Sequence, residues 1–177
     1  MKLVFSRKGF DAQYGGMASP ILPDGRLVPL PIPSDHDQYT LSDVNISKID
    51  LEGILSDLTR GRLSPATRTH LDPDLNRLPA SRLPGWRPAF GQTGIAQSHL
   101  GKQNIGSGDV FLFFGWFRKI EFKNGHWRFR PTAPNIHLIF GWLEVSELLP
   151  VVLEREGSLR QHPWIANHPH VDRKSVV

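Results

Sequence analysis

The stretch "DVFLFFGWFRKIEFKNGHWRF", residues 109–129, does most to limit what this chain can fold into. Its apolar run, "VFLFFGWF" at 110–117, is too short to span a bilayer and predicts a buried strand. Asn124 and Gly125 then supply the two positive-φ positions of a type I′ turn. Ile120 and Phe122 before that turn, and Trp127 and Phe129 after it, alternate as a half-buried hairpin requires. A further strand is predicted over 136–145, "IHLIFGWLEV". It shares a pattern with the first, "FFGWF" at 113–117 against "IFGWL" at 139–143. Convergence of core composition explains the match more simply than duplication. A glycine inside each apolar strand signals a bulge or the close approach of another backbone. The two segments are expected to be neighbours in a curved sheet.

The rest of the chain is punctuated by sixteen glycines and fifteen prolines. "KLVF" at 2–5 predicts a short first strand. "PDGRLVPLPI" predicts a turn followed by an edge strand, because proline interrupts a central ladder. The clearest helix follows Ser47. Leu51, Ile54, Leu55 and Leu58 fall at helical spacing with Ile49 beside them, Ser47 and Asp50 resemble a capping box, and Gly61 can end it. Residues 62–91 hold five prolines and predict a long structured loop. A short helix is expected at 94–101, with Ile95 and Leu100 inward. Another is expected at 146–149, cut by Pro150 and followed by "VVLER". The resulting expectation is an α+β fold: a single domain over 1–177 with a curved, mainly antiparallel sheet, a few short helices and long ordered loops. A short polar tail, 172–177, closes it.

Charge and cysteine content narrow the function. Lys and Arg number 21 against 17 Asp and Glu, and a net charge of +4 favours a polyanionic partner such as nucleic acid. The absence of cysteine excludes disulfides, thiolate catalysis and cysteine-held zinc or iron–sulfur sites. "MKLVFSRKGF" has too short an apolar stretch for a signal peptide. The expectation is a soluble, cytoplasmic protein with no membrane contact.

Four clusters carry candidate chemistry. In "HLDPD", Pro73 extends the backbone, so His70, Asp72 and Asp74 alternate and share a side. A carboxylate there can orient water while the histidine moves a proton. A turn capped by Asp72, with Asp74 in solvent, is the plainer reading and is favoured on these residues alone. "SRKGFDAQYGG", 6–16, groups Arg7, Lys8 and Asp11 with Phe10 and Tyr14, either as phosphate and base contacts or as an ordinary charged turn. "GWRPAFGQTGIAQSHL", 85–100, offers Trp86 and Arg87 to stack and clamp. Its Gln92, Gln97, Ser98 and His99 can read a base edge or hold the loop to the core. In the cluster His162, His168 and His170, "HPH" could place two imidazoles on one side of a strand, but nothing else in the tail marks the third ligand that a catalytic zinc needs, and surface histidines beside prolines are the better reading.

"SRKGFDAQYGGMASPILPDG", "HLDPDL", "GWRPAFGQTGIAQSHL", "GDVFLFFGWFR", "HLIFGWLEV" and "HPHV" follow one another in this order. Together they resemble the third nucleotide-modification-associated domain family of prokaryotes and phages, from about residue 3 to about residue 171. Members continue past "HPHV" with a further strand and a Trp-rich segment, whereas this chain stops after "DRKSVV". The resemblance implies a role in systems that make, read or attack modified bases in DNA, including phage defence. The concrete expectation is a DNA glycosylase that flips a hypermodified nucleotide and hydrolyses its N-glycosidic bond. A carboxylate would stabilise positive charge on the sugar, by analogy with other glycosidic cleavages. Asp72 or Asp74 would fill that role, with Asp11 in reserve and His70 carrying a proton. Arg7, Lys8, Arg87 and Arg118 would hold phosphates. Trp86 or Tyr14 would stack on the base, and Gln92, Gln97 and His99 would read it. No metal or cofactor is called for, and the partner is DNA carrying modified bases. The alternative is a PUA-like reader without chemistry. A transferase that builds the modification has no donor-binding motif behind it.

Overall fold

Alternation of inward and outward side chains produces the dominant strand, Val110–Lys123, in the computed structural model, which describes residues 1–44, 48–77, 81–149 and 161–171. Phe111, Phe113 and Phe117 point inward from it and are buried. In chain order the strands are β1 (Leu3–Arg7), β2 (Ser19–Ile21), β3 (Val110–Lys123), β4 (His126–Phe129) and β5 (Ile136–Glu144). The helices are α1 (Leu41–Val44), α2 (Leu51–Thr59) and α3 (Gly94–Lys102), with a 3-10 turn at Pro163–Asn167. By compactness the chain divides into two units. Unit 1 holds Met1–Ser6, Leu71–Phe113 and Gly141–Val177, and unit 2 holds Arg7–His70 and Phe114–Phe140.

The expected curved, mainly antiparallel sheet is corrected. The sheet is open and five-stranded, its main path runs β1-β3-β2, and β4 and β5 also pair with β3. β2 lies parallel to β3, with Ser19 opposite Phe117 and Ile21 opposite Lys119. β1 runs the same way, since Val110 N–H donates to the Lys2 carbonyl and Lys8 N–H to the Phe114 carbonyl. The Asn-Gly hairpin is present as expected, with φ of 54° and 83° at Asn124 and Gly125 and with Ile120 opposite Phe129. Local turn chemistry reveals such a pair. It is silent on a parallel pair, whose strands are joined by a long crossover.

Smaller differences have similar causes. The strand near the "PDG" turn precedes it, at Ser19–Ile21, because Pro29, Pro31 and Pro33 deny the following segment a ladder. No helix forms at 146–149. Ser47, Pro150, "VVLER" and the tail 172–177 lie outside the described residues, as does part of the 62–91 loop. β3 and β5 are neighbours as expected. A Cβ at Gly115 would sit 2.9 Å from the Lys8 carbonyl oxygen, the close backbone approach that the glycine signalled.

The unit 2 core gathers Phe10, Met17, Leu22, Leu30, Ile54, Leu55 and Ile120 among others. α2 is fastened to β4 by its two aspartates. Asp50 caps the helix by accepting from Gly53 N–H (2.9 Å), and its other oxygen accepts from the Trp127 indole (3.0 Å). Asp57 accepts the Trp127 backbone N–H at 2.6 Å and lies 3.2 Å from His126 Nδ1. The Trp127 backbone bond, with His126 adding to it, holds the Asp57 carboxyl below its ordinary range. A depressed carboxylate lends stability above the ordinary pKa of about 4 and loses it as pH falls through the folded value. Asp57→Asn therefore lowers the melting temperature at pH 7, and the gap to the parent chain narrows as melts are repeated below about pH 4. A gap independent of pH contradicts this role.

Candidate functional site

Within unit 1, the segment after Leu71 is held by backbone and carboxylate together. Asp74 and Ala89 exchange both backbone hydrogen bonds at 2.9 Å, which sets the strand-like segment 72–74 beside 89–91. The Asp72 side chain is 0% exposed. Its Oδ1 accepts from Gly91 N–H at 2.8 Å, and its Oδ2 lies 3.2 Å from His170 Nε2. His168 Nε2 is 3.8 Å from Oδ1. A buried carboxylate is tolerable only with such partners. Gly91 is required here, because a Cβ would collide with the His170 ring. His168 and His170 are therefore buried, not surface histidines. Their partner Asp72 is remote in sequence, so "HPH" alone carried no sign of it. Carboxylate and imidazole are metal-ligand types, and in this arrangement they face one another.

Asp74 is buried as well, not solvated as the plainer reading of "HLDPD" had it. Arg82 grips it in a fork, Nη1 to Oδ2 and Nη2 to Oδ1, both at 2.6 Å, and the Trp86 indole donates to Oδ2 at 3.3 Å. The Arg82 guanidinium also lies 4.7 Å from the centre of the Trp86 ring. Burial raises the Asp74 carboxyl to about 6, against the opposing pull of Arg82 and the Trp86 bond. Desolvation outweighs the arginine, yet at pH 7 the pair remains mostly ionic.

A recess of unit 1 measures about 240 Å³. Its apolar wall comes from Ala89, Phe90, Phe111, Leu149 and Trp164, and its polar groups from Arg87, Gln92, Gln97, Glu144 and Glu147. The aromatic wall is rigid: Phe90 packs 4.8 Å from Phe111 and 5.0 Å from Phe113, centre to centre. At the rim Arg87 Nη2 meets Glu147 Oε2 at 2.9 Å while lying 5.6 Å from the Trp164 ring. His162 Nε2 is 3.6 Å from the other oxygen of Glu147. A flat, partly polar ring fits such a space. Its volume falls just under the roughly 300–1,000 Å³ typical of drug-sized pockets.

Three residues expected to contact a ligand, Arg87, Gln92 and Gln97, thus meet in one recess. Asp72, Asp74 and Trp86 lie in the same unit but are not among its lining. His99 is exposed on α3, and Ile95, expected inward, is 91% exposed. The remaining candidates belong to unit 2. Asp11 accepts from Gln13 and Tyr14 N–H at 2.8 and 2.7 Å, capping its own turn, and Tyr14 is exposed. His70 is buried with its Nδ1 3.0 Å from Asp37 Oδ2. Arg7 is exposed, and Lys8 is partly buried. Arg118 donates to the Ala133, Arg130 and Pro131 carbonyls at 3.1, 3.3 and 3.4 Å. Trp164, Glu147 and Phe90 escaped the sequence reading. Only the clustering of Trp164 with His162 and Pro163 could have flagged one of them.

A family model described as Nucleotide modification associated domain 3 matches residues 2–176, so the chain belongs to that family, one associated with nucleotide modification. No curated protein and no solved structure matches it. Among the described residues no helix is long and apolar enough to cross a membrane.

Since the folded Asp74 pKa stands above its unfolded value, its stabilising contribution is full below about pH 4 and lost as pH rises through about 6. Carboxyl carbon NMR should place its midpoint near 6. In Arg82→Met the midpoint climbs further, because the guanidinium is the strongest influence holding it down. A midpoint near 4 in the parent chain, or no rise in the variant, contradicts this account.

Proposed function

We propose that the protein recognises a modified base in DNA by receiving it, extruded from the stack, in the recess of unit 1. The observation that carries this reading is the pairing of a rigid aromatic wall with two carboxamides in a space of base size. Phe90 and Trp164 offer faces on which any base can stack. Gln92 and Gln97 each present a donor and an acceptor, the pattern that reads a base edge. Both are partly buried at the recess, where a ligand with complementary groups would complete their hydrogen bonding. Glu144 adds an acceptor for an amino or hydroxyl substituent. The charge of +4 and the family's tie to nucleotide modification agree with a modified nucleic acid as the source of that base.

Cleavage of the N-glycosidic bond is a second reading, and one observation favours it. Hydrolysis through an oxocarbenium-like state needs a carboxylate at the sugar. Asp72 and Asp74 are already committed to His170, Gly91 and Arg82, and neither lines the recess. Glu147 does, half exposed, with Arg87 at 2.9 Å and His162 at 3.6 Å from its carboxylate oxygens. In this reading Glu147 takes the place that sequence reasoning gave to the aspartates.

Recognition is tested by fluorescence anisotropy on matched oligonucleotides with unmodified, 5-hydroxymethylated or glucosylated pyrimidines. At least one modified strand should bind about tenfold or more tightly than its unmodified counterpart. Gln92→Ala with Gln97→Ala should remove most of that preference, a loss on the scale of one or two base-edge contacts at about 1–3 kcal/mol each. Equal binding of every strand overturns recognition. Alkali-labile sites formed by the parent chain but not by Glu147→Gln would establish cleavage at this recess.

A further inference from the structure

We infer that Lys119 and Arg130 of unit 2, with the Thr132 hydroxyl beside them, form a phosphate-binding site. The argument begins with a break in the rhythm of β3. Phe117 and Ile120 are both buried, so the inward phase shifts by one residue and Lys119, due inward, is exposed instead. The shift falls where β2 ends on one side of β3, Ile21 opposite Lys119, and β4 begins on the other, Ile120 opposite Phe129. Extra residues of this kind re-aim side chains at sheet rims.

The turn after β4 brings the second cation to the same place. Arg130 N–H donates to the Lys119 carbonyl at 2.9 Å, and Ala133 N–H closes the turn on the Arg130 carbonyl at 3.0 Å. Arg118 fixes that turn through its three carbonyl contacts and lies 5.5 Å from the Phe129 ring centre. Lys119, Arg130 and Thr132 then share a recess with Ala133, Pro134 and Ile136. The arginine proposed to grip phosphate is therefore the scaffold, and its neighbours present the charge.

Two like charges held together raise each other's energy unless an anion joins them. Other arginines have acids in reach: Arg26 has Asp24, Arg87 has Glu147, and Arg128 has Glu121. Among the described residues neither Lys119 nor Arg130 makes a side-chain ion pair. Between residues 118 and 130 the only acid is Glu121, and it is bound to Arg128. A forked guanidinium, a compact ammonium and a hydroxyl match the charge and oxygen count of a phosphate group. That phosphate belongs either to a DNA strand or to a free phosphate monoester. Assigning it to a strand rests on the recognition reading above, but the site itself does not.

The test uses the full chain and the double variant Lys119→Gln, Arg130→Gln, with equal melting temperatures as the folding control. Amide NMR with inorganic phosphate should shift Lys119, Arg130 and Thr132 in the parent chain and leave the variant unmoved. Affinity for unmodified and modified oligonucleotides should fall together, about tenfold or more at low salt, with the salt slope shallower by about 1–2. The ratio between modified and unmodified strands should not change. Loss of the phosphate response with DNA binding intact sinks the strand assignment and assigns the site to a monoester. Phosphate and DNA responses identical in both proteins overturn the site. A parent chain without preference for modified strands, but with the phosphate response abolished in the variant, defeats the base-reading proposal alone.

Discussion

Every other strand of the sheet hydrogen-bonds to β3, so the pairing of this one segment conditions the rest of the fold. Its inward face must be apolar, and alternate aromatic residues meet that demand through Phe117. Its backbone must admit the residue that follows β1, Lys8, closely, which the lack of a side chain at Gly115 permits. Its change of phase at Lys119 then releases a cation to the surface where an unbroken alternation would have buried it. A buried lysine without a partner would lose its proton or destabilise the fold, so the shift also removes an electrostatic conflict.

Desolvation of carboxylates is the second organising force. Asp72 and Asp74 sit in unit 1 with almost no contact with water, and each has drawn in a distinct set of partners. Asp72 fixes Gly91 and the imidazole of His170, while Asp74 fixes Arg82 and Trp86. Both sets brace the segment 86–92, which supplies Arg87, Ala89, Phe90 and Gln92 to the recess. The aspartates thus shape the recess through the wall they hold, and the carboxylates that line it are Glu144 and Glu147.

How much of this was legible follows from the range of each interaction. The Asn124-Gly125 hairpin, α2 and the adjacency of β3 and β5 depend on local spacing and turn chemistry, which a sequence displays openly. The parallel partnership of β2 with β3 depends on a crossover that local residues do not encode. Arg87 and Gln92 were recognisable as polar groups on a glycine- and proline-rich loop, and Gln97 as one on the short helix that follows it. His168, His170 and Trp164 were misjudged or missed because burial is a property of what they meet, and Asp72 lies far away in the chain. Arg118 illustrates the same gap: an arginine's type suggests phosphate, but its type does not reveal the three carbonyls it donates to. Family resemblance, by contrast, lay in the order of short motifs and needed no contacts at all.

The claim on which the functional account turns is that a modified base enters the recess of unit 1. Amide and indole NMR of the labelled protein, titrated with a short oligonucleotide carrying one glucosylated pyrimidine, addresses it most directly. The account predicts that the largest shifts fall on Phe90, Gln92, Gln97, Val145 and the Trp164 indole, and that they saturate together. Saturable binding that moves other residues and leaves these five unperturbed would contradict it.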